Sequence, residues 1–190
     1  MAQYLGGGTP GYVTPSDGVI TSYSVRASAT PGLVRLVVFG PSATAGHRTV
    51  AALSAQNAVV VNTVNTFPTR VPVATGLSIG LNNSAGGMLC WGAGVAGDQV
   101  AAAIVDPASS ADFGGGNLQS GKRVNISAVL EPDVDGDQYG DLSQDLCPQS
   151  KLTQAACPAP DTTVTKTPKK RSATRKANSI SWSLTRWGWA

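Results

Sequence analysis

From Val71 to Leu81 apolar and small or polar positions alternate. Val71, Val73, Thr75, Leu77, Ile79 and Leu81 fall on one face, and Pro72, Ala74, Gly76, Ser78 and Gly80 on the other. Period two over this length predicts an extended segment with one side in a core. Arg123–Leu130 repeats the pattern, with Val124, Ile126, Ala128 and Leu130 inward and Asn125 and Ser127 outward. Val19–Ala27 is rich in β-branched residues, and Leu33–Phe39 is apolar on both faces except for Arg35, as a central strand is. Weaker strands are predicted at Thr49–Leu53, Ala58–Val64, Met88–Trp91 and Val100–Val105. Turn signals separate them: Pro31-Gly32, Gly40-Pro41, the Asn82–Gly87 stretch and Gly114-Gly115-Gly116. No window carries a 3.6-residue period, and the alanine-rich run Gln99–Val105 is too short to press as a helix. About eight short strands spaced about ten residues apart predict an all-β fold, an antiparallel β-sandwich of jelly-roll type in preference to an immunoglobulin-like one.

Composition agrees with this reading. Hydrophobic residues are 42% of the 190, enough for a core, whereas charged residues are 13%, and Gly (22) and Pro (12) are abundant. That mixture argues against helical bundles and coiled coils. No apolar run reaches the ~18 residues of a membrane span. The opening Met-Ala-Gln-Tyr-Leu-Gly-Gly-Gly has neither the cationic nor the apolar region of a signal peptide. The net charge of +3 hides three zones. Residues 1–130 carry six basic and four acidic side chains. Residues 131–161 carry seven acids (Glu131, Asp133, Asp135, Asp137, Asp141, Asp145, Asp161) against Lys151, and residues 162–190 carry seven bases and no acid.

Catalytic look-alikes in the first zone fail on context. Gly76-Leu77-Ser78-Ile79-Gly80 has the form of a nucleophile elbow, but that motif needs a strand turning sharply into a helix. Here the alternation runs through Ser78, which is expected to face solvent. Gly6–Gly11 has the form of a dinucleotide fingerprint but lacks the flanking strand and helix. His47, the single histidine, reads as an exposed polar residue, and one histidine excludes His-based zinc catalysis. The glycosylation sequons Asn82-Asn83-Ser84 and Asn125-Ile126-Ser127 carry meaning only in a suitable host.

The acidic zone carries the chemistry. Residues 133–148 read Asp-Val-Asp-Gly-Asp-Gln-Tyr-Gly-Asp-Leu-Ser-Gln-Asp-Leu-Cys-Pro. Two carboxylates ~5 Å apart repel by about 3 kcal/mol at an effective dielectric near 20, so something must neutralise them or the segment stays open. Calcium does so naturally, taking 6–8 oxygens from loop positions 1, 3, 5, 7, 9 and 12. That template puts Asp133, Asp135 and Asp137 at the first three positions, the Tyr139 carbonyl at the fourth and Asp141 at the fifth. The last falls on Gln144, one residue short of Asp145. Zinc prefers Cys or His, and magnesium fewer protein ligands, so the expected cofactor is Ca²⁺. Cys147 and Cys157 are ten apart, each followed by Pro, and a bridge between them would contribute roughly 2.5–3 kcal/mol. Cys90, beside Met88, Leu89 and Trp91, reads as a buried thiol.

Asp133–Asp141 followed by Asp145-Leu146-Cys147-Pro148 resembles a thrombospondin type 3 repeat, a calcium-binding module of animal matrix and bacterial surface proteins. The resemblance covers about 16 to 25 residues. It implies calcium held by these aspartates and a disulfide between neighbouring Cys-Pro elements, here Cys147–Cys157. Gln138 stands where the repeat usually has glycine, and Asp145 sits one place late. The wider layout is similar to uncharacterised secreted actinobacterial surface proteins, in which a sandwich strand such as Arg123–Pro132 runs into a calcium loop. In them a segment like Asp161–Lys170 opens an immunoglobulin-like repeat. That implies an extracellular or wall-associated location, and against it the missing leader reads as a truncated or mis-assigned start.

The expected organisation is therefore a flexible N-terminus (1–11), a β-sandwich (12–131), a calcium loop with Cys-Pro elements (132–160) and a mostly disordered basic tail (161–190). The tail's Lys169-Lys170-Arg171 reads as the exposed first strand of a further domain rather than as a nucleic-acid patch. The closing tryptophans (Trp182, Trp187, Trp189) read as a frameshift or premature stop. The expected function is a non-enzymatic extracellular or cell-surface module whose calcium-stiffened connector spaces neighbouring domains. The alternative is a carbohydrate- or ligand-binding sandwich with structural calcium, whose partner would be a wall or extracellular polysaccharide.

Overall fold

The structure is a computed structural model that describes residues 2–5, 12–45, 47–83, 88, 91–102, 112–113 and 117–159. Cys90, the triple glycine 114–116 and the tail from residue 160 onward, with its predicted domain start and tryptophans, lie outside the described residues. Among the described residues there is no helix, and so none long and apolar enough to cross a membrane.

Among the described residues thirteen strands form antiparallel sheets. The first six are β1 (Ala2–Leu5), β2 (Gly18–Arg26), β3 (Leu33–Pro41), β4 (Arg48–Leu53), β5 (Asn57–Ala58) and β6 (Val64–Val73). They are followed by β7 (Ser78–Asn83), β8 (Trp91–Ala93), β9 (Gln99–Ala102), β10 (Asp112–Phe113), β11 (Asn117–Ser120), β12 (Lys122–Val124) and β13 (Ile126–Glu131). The largest sheet runs β10-β4-β3-β7-β1-β9-β11, with β5 also paired to β3; a second sheet is β13-β2-β6 and a third β12-β8. Ala2–Leu5, assigned from sequence to a flexible stretch, pair with β7 and β9.

One apolar cluster joins these sheets. Val34, Leu36, Val38, Ile79 and Leu81 of the large sheet are buried with Ile20, Tyr23, Val25, Val71, Val73, Ile126, Ala128 and Leu130 of the three-stranded sheet. The opposite face of β3 places Val37 and Phe39 against Val50, which is why that strand reads as apolar on both faces. Tyr12 joins the main cluster, and its hydroxyl donates to the carbonyl of Val124. Burial there pushes its pKa up to about 12.

Two expected continuous strands are broken. The Val71–Leu81 alternation spans the end of β6, a turn and the start of β7, which lie in different sheets. Gly76 makes the turn at φ 84°. Asp17 holds it by accepting from the Thr75 N–H (2.7 Å) and hydroxyl (2.8 Å). Period two survives because both halves bury odd-numbered residues in the same cluster. Ser78 is 5% exposed, not solvent-facing as expected, because it opens β7 opposite Phe39. Arg123–Leu130 is likewise divided at Asn125 between β12 and β13.

Two further differences have local causes. The expected strand Ala58–Val64 is broken: residues 59–63 form the turn between β5 and β6, and the Asn65 amide pins it by accepting from the Val60 N–H (2.7 Å) and donating to the Val60 carbonyl (2.9 Å). β6 begins at Val64 despite Pro68 and Pro72, which an edge strand tolerates because its outer N–H groups need no partner.

Asp98, fully buried in the turn before β9, forms an ion pair with Arg123. Its Oδ1 accepts from Arg123 Nη2 (3.2 Å) and its Oδ2 from the Val95 N–H (2.7 Å). Removing one member of such a pair strands a buried charge. Asp98→Ala should therefore cost about 3–5 kcal/mol, read as a fall in the urea midpoint, while Asp98→Ala combined with Arg123→Met should cost less than Asp98→Ala alone.

Candidate metal centre

β13 ends in Glu131, and the chain then turns back on the sheet it has just left. The register Val129↔Ser22 followed by Leu130↔Ile20 leaves Thr21 as an extra residue on β2. Such a bulge re-aims a side chain, and here the Thr21 hydroxyl donates to Glu131 Oε1 (2.9 Å). The same carboxylate accepts from the Ser143 hydroxyl (2.6 Å) and from the N–H groups of Leu142 (3.0 Å) and Ser143 (2.9 Å). Burial opposes its charge, yet these donors outweigh it and hold the Glu131 carboxyl below the usual range. Gly140 closes the contact: a Cβ there would lie 2.5 Å from Glu131 Oε2 and 2.5 Å from Thr21 Cγ2.

Two more contacts dock the loop. Gln144 Nε2 donates to the Thr69 carbonyl of β6 (2.8 Å), and the Arg70 guanidinium lies 4.2 Å from the centre of the Tyr139 ring. The Asp141 N–H donates to the Pro132 carbonyl (3.0 Å), closing residues 132–141 into a loop.

Inside the loop, carboxylates fold the backbone around themselves. Asp133 accepts from the N–H groups of Asp137 (3.0 Å) and Gln138 (3.0 Å), and Asp135 Oδ1 also accepts from Asp137 (3.1 Å). Asp137 Oδ1 takes the Tyr139 N–H (2.8 Å), and Asp141 the Val134 N–H (3.1 Å). Gly136 and Gln138 both adopt left-handed φ, 72° and 71°. Gln138 thus makes a left-handed turn without glycine, at a conformational cost.

Asp133, Asp135 and Asp137 each bring one carboxylate oxygen into a group within 4.8 Å of one another, an arrangement able to hold a metal ion. Asp145 is 2% exposed. Its Oδ1 accepts from the Cys147 N–H (2.8 Å), while its Oδ2, like Asp135 Oδ2, is buried with no hydrogen-bond partner. Burial raises the Asp141 pKa, and the negative charges of Asp133, Asp135 and Asp145 raise it further. Asp145 is thus close enough to Asp141 for its charge to act on it. Gln144 does not compete with it for the last template position, because its amide is spent on Thr69 and on accepting from the Gly140 N–H (3.3 Å). Tyr139 contributes its N–H to Asp137 and its ring to Arg70.

The following loop forms the far wall. Cys147 and Cys157 are joined, with Cα atoms 4.8 Å apart. Within the loop they close, Gln154 donates through Nε2 to Asp137 Oδ2 (2.8 Å) and accepts at its carbonyl from the Leu146 N–H (2.9 Å). Gln154 is the main reason that the Asp137 pKa is lowered, followed by the Tyr139 N–H and the charges of Arg70 and Lys151. Neither Glu131 nor Gln154 was singled out from sequence: Glu131 counted only as one acid of the zone, and nothing in the spacing marks Gln154.

The donors are all oxygens, which suits a hard cation rather than zinc. The two orphaned buried oxygens fit such an ion, since an unpartnered carboxylate oxygen away from water is costly. No family model, curated protein or solved structure matches this chain.

Two substitutions separate docking from loop strain. Glu131→Ala should cost about 2–4 kcal/mol, because four donors lose their acceptor, and should make residues 132–159 sensitive to limited proteolysis. Gln138→Gly should instead raise stability by about 0.5–1 kcal/mol, the relief of left-handed strain less the entropy of an added glycine, measured by thermal unfolding in EDTA.

Proposed function

We propose that the chain is a non-enzymatic extracellular or cell-surface module in which a β-sandwich of jelly-roll type carries a calcium-stabilised connector of the thrombospondin type 3 kind. The observation that carries this reading is the pair of buried, unpartnered oxygens, Asp135 Oδ2 and Asp145 Oδ2, in a loop lined by carboxylates. Calcium would be held by Asp133, Asp135, Asp137, Asp141 and Asp145 with the Tyr139 carbonyl, and would supply charge neutralisation and rigidity rather than chemistry. The Cys147–Cys157 bridge suits an oxidising compartment. The same bridge, together with a loop docked on the sheet, suits a connector that holds neighbouring domains at a fixed spacing.

Calorimetric titration with calcium after EDTA treatment tests the reading. The wild type should show saturable binding at roughly 10⁻⁴–10⁻³ M, as in extracellular modules, together with a rise in Tm. Asp135→Asn/Asp137→Asn should abolish the heat. Absence of heat and of any Tm change at millimolar calcium in the wild type overturns the proposal.

A further inference from the structure

We propose that Lys151 is a tethered counter-cation of the aspartate loop, compensating the carboxylates when no metal is present and weakening the loop's hold on a divalent cation. This inference rests on the calcium reading above and concerns what sets the affinity of that same site. Lys151 lies on the loop closed by Cys147 and Cys157, opposite the aspartates. Its Nζ donates to the carbonyl of Gly136 (3.4 Å), the residue between Asp135 and Asp137, and its charge helps to lower the Asp137 pKa. Glycine at 136 leaves room for it, since a Cβ there would lie 3.1 Å from Nζ. The carboxylates around it are more than an acidic surface, because Asp145 is 2% exposed, keeps one oxygen without a partner and acts by its charge on Asp141.

The two cations of the site are built differently. Arg70 belongs to β6 and is stacked on Tyr139, so it is fixed by the same contacts that dock the loop. Lys151 is exposed, and a lysine is a compact charge on a flexible four-carbon stem. Its ammonium can withdraw into water without breaking a buried contact. It therefore acts with opposite sign in the two states: it lowers the energy of the empty loop by attraction, and raises that of the filled loop by repulsion from a divalent ion.

Lys151→Met keeps the stem and removes the charge. In calorimetric calcium titrations after EDTA treatment, the variant should bind roughly three- to tenfold more tightly than the wild type, the effect of one unit charge within about a nanometre of a divalent ion in water. In thermal unfolding, its Tm should fall below the wild type in EDTA and not in saturating calcium. Tighter binding with that crossover supports the proposal. Equal or weaker binding by the variant, with the wild type still binding, overturns the role of Lys151 and leaves the calcium reading standing. No saturable heat from the wild type overturns both.

Discussion

A single carboxylate decides how the acidic segment relates to the rest of the molecule. Glu131 is the last residue of β13 and is 5% exposed, yet it satisfies four donors: one from the bulge of β2 and three from the turn that follows Gly140. Placing a charge in that position is unfavourable unless the surrounding donors are aimed at it. The bulge at Thr21 and the bare Gly140 exist to permit that aim. Because Glu131 belongs to the sheet and its partners to the loop, the 132–159 segment is held against β2, β6 and β13 and is not a solvated tether.

Once docked, the loop faces a charge problem of its own. Asp133, Asp135 and Asp137 form one cluster, and Asp141 feels the charges of Asp133, Asp135 and Asp145; a pair ~5 Å apart repels by about 3 kcal/mol at an effective dielectric near 20. The chain offsets much of this internally through backbone N–H groups, Gln154, Arg70 and Lys151. These donors do not reach every oxygen. Asp137, whose two oxygens accept from Tyr139 and Gln154, has its pKa lowered, whereas Asp141, half-buried and subject to the charges of Asp133, Asp135 and Asp145, has its pKa raised. Two buried oxygens, Asp135 Oδ2 and Asp145 Oδ2, are left without a hydrogen-bond partner.

The strands of the central sheets were legible in the sequence because burial writes a period into them. Val19–Ala27 and Leu33–Phe39 became β2 and β3 almost unchanged. The same signal also misleads, because alternation records which residues meet the core and not whether the chain between them is straight. Val71–Leu81 crosses from one sheet to another without losing phase, held by Asp17 and Gly76. β6 was hidden by Pro68 and Pro72, which exclude a central strand but not an edge. In the loop, the aspartate spacing could be read directly, since it is local. Glu131 and Gln154 could not, because their roles depend on partners 110 and 17 residues away.

The cysteine-closed loop and the aspartate loop are not independent units. Gln154 binds Asp137 with its side chain and Leu146 with its backbone, and Asp145 accepts the N–H of Cys147. Ordering one loop therefore orders part of the other, and the entropy of about 1–2 kcal/mol per residue is spent once on shared residues. Asp135 and Asp145, each with a buried oxygen that lacks a hydrogen-bond partner, are preset by different agents: Asp135 by its own turn, and Asp145 by the N–H of the bridged Cys147. The sheet, through Glu131, already fixes the middle. Glu131, the Cys147–Cys157 bridge and the Asp137–Gln154 contact thus hold the segment at three points.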